Sequence, residues 1–328
     1  MNDKFIFPCS KEEREKILQK YGEYLEINLS EKTRLLYQKA CRLFERYCDS
    51  RGIQAFPTTP MTLLDFAHIN VTEGLQGRPL SMNTVDLYLK AIHYKNIHLG
   101  FRSPYHDYLV TRVLRGMRRK HGTAQKEVKA LLASDIKKMI DACDNSLIGK
   151  RDSAIMAIGL AAALRRSEII NIRIEDIEIV KRNRPTDPER AFLHIRQSKT
   201  DQEGKGRKIP VIQGENIQAI KRINEWLQVS GIESGYLFQT IPHKKLSGNP
   251  LDGKDISRLL KHYAEMVGMD PTMISGHSLR AGFVTNATMV NARQDKIMAV
   301  SRHSSRDSLS GYIRDEDHFT DHAGEGFL

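Results

Sequence analysis

A histidine and an arginine stand three residues apart in Gly276-His277-Ser278-Leu279-Arg280-Ala281-Gly282. On a helix, positions i and i+3 share a face, so both side chains can address one anion. Tyr312, in Gly311-Tyr312-Ile313-Arg314, adds a hydroxyl further along. The three groups suit attack of a tyrosine on a phosphodiester. Among 12 histidines and 51 lysines plus arginines in 328 residues, a His-x-x-Arg also arises by chance. Alone it describes a surface helix with a capped histidine equally well.

Other stretches carry chemistry of the same kind. Leu164-Arg165-Arg166-Ser167-Glu168 closes an almost continuous apolar run, Arg151 to Ala163. Charges beside a buried helix need partners, because an unpaired buried charge is costly. Two readings stay open there: a structural ion pair of Arg165 with Glu168, or an arginine held by a carboxylate and aimed at a phosphate. Lys199 lies in Ser198-Lys199-Thr200-Asp201-Gln202-Glu203-Gly204, the turn between two strand-like stretches, Phe192 to Ile195 and Lys208 to Val211. Such a lysine is either solvated or a mobile proton donor. His303 follows a helix expected over Gln294 to Val300.

Periodicity indicates the elements that position these groups. Ser30 caps a helix on which Leu36, Ala40, Leu43, Phe44 and Tyr47 recur at three- and four-residue steps until Arg51-Gly52. Lys32, Lys39, Arg42 and Arg46 occupy its other face. Helices are expected over Thr62 to His68, Ser81 to Gly100 and Tyr108 to Lys120. The last holds Arg112, Arg115, Arg118, Arg119 and Lys120, five basic residues in nine with no acid among them. Basic side chains near a helix end complement its dipole, but five together favour phosphate contact. The candidate contact residues are Lys39, Arg42, Lys90, Arg112, Arg115, Arg118, Arg119 and Lys120, with Arg258 on a later amphipathic helix.

A polar, aperiodic stretch around His121-Gly122-Thr123 separates a helical bundle (1–121) from a second domain (132–328), with 122–131 as linker. In the second domain Ser134-Asp135-Ile136 opens a capped helix. Further helices are expected over Ile217 to Leu227 and Ile256 to Met266. The fold class expected is mainly α, with a small antiparallel sheet in an α+β second domain.

Composition sets bounds. The chain is 40% hydrophobic and 28% charged, ordinary for a soluble globular protein. No run approaches a membrane span and no signal peptide opens the chain, so a cytoplasmic protein is expected. Its formal charge of +11 favours a polyanionic partner. Residues 1–130 hold 22 basic against 14 acidic side chains, the remainder 29 against 26. Cys9, Cys41, Cys48 and Cys143 show no zinc-ligand spacing and are expected as reduced thiols.

In order along the chain, Arg165, Lys199, His277-x-x-Arg280, His303 and Tyr312 resemble the tyrosine recombinases of the phage integrase family, in a layout most like its Cre-type members. The resemblance covers nearly the whole chain. It implies a helical core-binding domain, a linker and a catalytic domain. Arg165 matches the first family arginine, Glu168 the acidic position beside it, Lys199 the hairpin lysine, His277 and Arg280 the His-x-x-Arg box, His303 the His/Trp position, and Tyr312 the nucleophile. Ala281 after Arg280 and Arg302 before His303, where a glycine is frequent, depart from the pattern.

The resemblance further implies a bacterial or phage, nucleoid-associated recombinase that acts without metal or cofactor as a homotetramer. Its partner would be double-stranded DNA with inverted-repeat sites, joined through a 3′-phosphotyrosyl link, giving excision, integration or inversion. A DNA-binding regulator with the fold but no strand exchange is the alternative; it would be expected to lack one of the six positions. A type IB topoisomerase shares the tyrosine chemistry but acts as a monomer without sequence specificity.

Overall fold

Ser30 caps helix α1 (Glu31–Asp49), its Oγ accepting the Thr33 N–H at 3.3 Å. The computed structural model describes residues 29–75, 77–123, 129–182, 184, 186–196 and 206–303, with scattered helical residues between 12 and 24. Two units partition the chain, Met1–Gln125 and Lys126–Leu328.

In the first unit α1 is followed by α2 (Pro60–Thr72), α3 (Met82–Leu99) and α4 (Tyr108–His121), each with a side-chain N-cap, from Thr59, Ser81 and Asp107. Caps of this type satisfy N–H groups that the helix itself leaves open. Gly100, in the left-handed conformation at φ 88°, ends α3. The core gathers Phe44, Leu63, Phe66, Met82, Leu89, Ile92 and Leu114, with Phe44 and Phe66 edge to face at 5.1 Å. Cys41 and Cys48 are buried free thiols, burial pushing each up to about 11. On α4 only Val110 and Leu114 are buried, so most of its basic residues point outward.

The second unit opens with α5 (Ala133–Asp141). Ser134 is not its cap: the helix starts from Leu132, whose N–H donates to the Asp135 carboxylate at 3.1 Å. An acid at the third helical position thus meets the donor preceding the helix, the return half of a capping box. Helix α6 (Leu147–Ala161) begins four residues before the expected Arg151, because Ser146 Oγ accepts the Gly149 N–H at 3.1 Å. From Ala154 to Leu160 it is apolar on every side and buried, and the short α7 (Arg166–Asn171) follows it.

Strands β1 (Ile177–Val180), β2 (Arg190–Ile195) and β3 (Arg207–Ile212) form an antiparallel sheet in that order, with Leu193 opposite Ile209 and Ala191 opposite Val211. The β2–β3 pairing is the expected hairpin; β1, four residues on the sheet edge, was not expected. Helix α8 (Ala219–Ser230) buries Trp226, whose indole N–H donates to the Leu237 carbonyl at 2.8 Å. Helices α9 (Gly253–Met266), α10 (Ser278–Met289) and α11 (Gln294–Ser301) follow.

Lys129 and Leu131, which fall inside the expected linker, donate backbone N–H groups to Met273 and Ser278 carbonyls at 2.9 and 3.2 Å. Gly282 permits this crossing: a Cβ there would lie 1.9 Å from the Leu131 carbonyl oxygen. Glycine at the end of the His277–Gly282 motif therefore serves close backbone approach. The chain as described is mainly helical with one small antiparallel sheet.

Candidate active site

The buried helix α6 ends in a turn that aims backbone carbonyls at arginines. Ala163 adopts a left-handed conformation, φ 49°, a region that costs a residue with a side chain of the order of 1 kcal/mol. Its carbonyl accepts from Arg280 Nη1 and from Arg302 Nη2, each at 3.1 Å, and the Ala162 carbonyl accepts from Arg302 Nη1 at 3.2 Å. Two guanidinium groups from α10 and the end of α11 thus meet on one peptide oxygen.

Glu168, buried on α7, completes the cluster. Oε1 accepts from Arg165 Nη1 at 2.8 Å, while Oε2 accepts from the Arg165 backbone N–H at 2.8 Å and from Arg302 Nη2 at 2.6 Å. Both readings of the Arg165–Glu168 pair are compatible with this geometry: the ion pair exists, and Arg165 keeps 18% of its side-chain surface exposed. The one carboxylate bonds two guanidinium groups, Arg165 and Arg302, a local surplus of positive charge suited to an anion.

His303 follows Arg302 at the same corner, its Nδ1 2.9 Å from Ser301 Oγ. Burial first, then Arg280, Arg165 and Arg302, push its pKa down to about 4. The imidazole is therefore neutral near pH 7. His277 is exposed at the N-cap position of α10, whereas Arg280, one turn on, is 4% exposed. Lys199 and Tyr312 lie outside the described residues.

Arg302 is the group that the sequence left unassigned, noted there only as a departure. It occupies a left-handed position at φ 59°, capping α11 with its N–H on the Met298 carbonyl at 2.7 Å. Glycine is the usual occupant of such a position. A cation directly after a helix end, next to His303, is the only sequence signal it gives. Burial pulls its guanidinium below the ordinary range, with Glu168 opposing.

The basic residues put forward for DNA contact differ in their surroundings. Lys39 and Arg42 are exposed on α1, and Arg115, Arg119 and Lys120 on α4. Lys90 and Arg118 share Asp86, at 3.3 and 2.5 Å. Arg112 donates to the Tyr108 hydroxyl at 2.7 Å, and Arg258 pairs with Asp255 at 2.9 Å.

Residues 129–318 match the phage integrase family profile. The chain belongs to the phage integrase family. An integrase/recombinase xerD homolog of Selenomonas ruminantium is 28% identical over 319 residues, covering 95% of this chain and 90% of that protein. Tyrosine recombinase XerA of Pyrococcus furiosus is 30% identical over 186 residues, 57% of each chain. Among solved structures, a lambda integrase fragment dimer bound to a core site superimposes with a TM-score of 0.60 at 16% identity, over 93% of this chain and 94% of that one. XerH bound to a palindromic difH substrate in a post-cleavage complex gives 0.60 at 15%, over 97% and 85%.

These likenesses establish the fold and the enzyme class, a tyrosine-type site-specific DNA recombinase. The two sequence relatives bear XerD-homolog and XerA names; the finer Cre-type likeness is an expectation from the sequence layout alone. Among the described residues no helix is long and apolar enough to cross a membrane.

Proposed function

We propose that this family member cuts and rejoins DNA at short inverted-repeat sites, as a homotetramer on two sites, with Arg165, Lys199, His277, Arg280, His303 and Tyr312 as its machinery. The observation that carries the reading is the convergence of Arg165, Arg280 and His303 around Ala163 and Glu168.

A phosphodiester under attack gathers charge on its non-bridging oxygens, and planar guanidinium groups meet two oxygens at once. Arg165 and Arg280 take that role. In the tautomer that carries its proton on Nε2, the neutral His303 accepts from the Ser301 hydroxyl at Nδ1 and donates a hydrogen bond to the same phosphate. Tyr312 loses its proton to His277 as its oxygen bonds to phosphorus. The bond from phosphorus to the 5′ oxygen breaks, and Lys199 protonates that leaving group. The resulting 3′-phosphotyrosyl ester conserves the bond, so a 5′-hydroxyl from another strand displaces the tyrosine and reseals the DNA. Exposed basic residues of the 1–121 region, Arg115, Arg119 and Lys120 among them, hold the backbone.

The test is a plasmid carrying two copies of an inverted-repeat site taken from the DNA bordering the gene. Excision or inversion between the copies supports the reading. Tight binding without exchange or cleavage favours the regulator, and relaxation of plasmid lacking any site favours the topoisomerase.

A further inference from the structure

Arg302 presents a buried charge that the proposed chemistry leaves unused. Its side chain is 2% exposed, and its terminal nitrogens donate to Ala162, Ala163 and Val300 carbonyls and to Glu168. Enclosed in this way, it is not available to a DNA phosphate. It also stands where a left-handed backbone favours glycine, so the side chain is kept against a local conformational preference.

We infer that Arg302 is a positioning residue for strand cleavage, sharing the Glu168 carboxylate so that Arg165 stays open to phosphate, and fixing the Ala163 carbonyl that orients Arg280. This rests on the strand-cleavage reading above. The reason is charge partition. Glu168 facing Arg165 alone makes a neutral pair that draws the guanidinium inward. Glu168 facing Arg165 and Arg302 leaves one positive charge over, and Arg165 is the more exposed of the two. The shared Ala163 oxygen ties Arg280 to the same arrangement.

Arg302→Gly tests the inference, because glycine suits the left-handed position while deleting the guanidinium. The readouts are single-turnover formation of covalent protein on a nicked duplex, DNA affinity and thermal midpoint. The expected result is a cleavage rate lower by roughly 10- to 100-fold, as for small misplacements of reacting groups, with affinity unchanged. Combined with Glu168→Gln, the losses multiply only in part, since the Glu168 contact is shared by both variants while the Ala163 contact is not. Arg302→Lys, which keeps the charge but not the fork, recovers part of the rate.

Cleavage by Arg302→Gly at the wild-type rate overturns the inference, as does a loss that multiplies fully with Glu168→Gln. Should Arg302→Gly not fold, Arg302→Lys carries the test: a wild-type rate in it counts against the inference, a reduced rate at unchanged affinity for it. No adduct from wild-type protein removes the strand-cleavage reading and this inference together, whereas a normal wild-type adduct with an unaffected variant removes this inference alone.

Discussion

Glu168 Oε2 and Arg302 Nη2 lie 2.6 Å apart, both side chains 2% exposed, in a contact that joins α7 to the end of α11 across 134 positions of sequence. A buried ion pair adds little to stability over an apolar substitute, but losing one partner leaves the other charge stranded. Glu168 also caps the start of α7 through the Arg165 N–H.

Glu168→Ala is therefore expected to destabilise the second unit by about 3–5 kcal/mol. Urea denaturation of the purified variant measures this. A change below about 1 kcal/mol, the scale of an exposed pair, would show that Arg302 finds solvent or another acceptor.

Two glycines should respond to alanine in opposite directions. At Gly282 the added Cβ meets the Leu131 carbonyl oxygen at 1.9 Å, so the crossing chain must move. A loss of about 1–3 kcal/mol is expected, as for overpacked cores. At Gly116, inside α4, the same Cβ meets nothing within 4 Å. A gain of roughly 0.5–1 kcal/mol follows from helix propensity. Chemical denaturation of the two variants decides; equal effects would contradict the close approach at Gly282.

Much of this architecture was legible in the sequence because helices announce themselves by period and cap. Ser30, Ser81 and Gly100 bound their helices as read, and the β2–β3 hairpin follows from alternation. The edge strand β1 is only four residues long, too short for a period to show. Ser134 looked like a cap, but Asp135 supplies the capping contact from within the helix. In the candidate site, residue types and order pointed to Arg165, Glu168, Arg280 and His303. Arg302 escaped because its burial, and the left-handed turn that folds it under α6, come from contacts some 140 residues apart. No local pattern encodes such a contact.

His303 should remain neutral well into the acid range. Its folded pKa is pushed down to about 4 from an ordinary value of 6.5. Between those values the unfolded chain binds the extra proton, so this group's contribution to stability is present above about 6.5 and is lost as pH falls toward 4. Imidazole titration followed by NMR, with His303→Gln to assign the resonance, provides the check. A midpoint near 6.5 would mean that the ring is solvated and away from the arginines.

Salt dependence separates the outward cations of α4 from the paired ones. Arg115, Arg119 and Lys120 are exposed with no acidic partner among the described residues, while Arg118 and Lys90 are held by Asp86. On the DNA-contact reading, alanine at Arg115 or Arg119 weakens binding similarly on all sequences. Each reduces the slope of log affinity against log salt by about 0.9. Binding titrations from low to moderate salt measure the slope; an unchanged slope for both variants would place the DNA elsewhere.

The most direct measurement is covalent trapping on a nicked duplex bearing a candidate inverted repeat, with wild-type protein and Tyr312→Phe, followed by peptide mapping of the adduct. Tyrosine-mediated cleavage predicts a denaturation-stable adduct from wild type, with the 3′ phosphate on Tyr312, and none from the variant. An adduct that persists in Tyr312→Phe, or that maps to another residue, would contradict it.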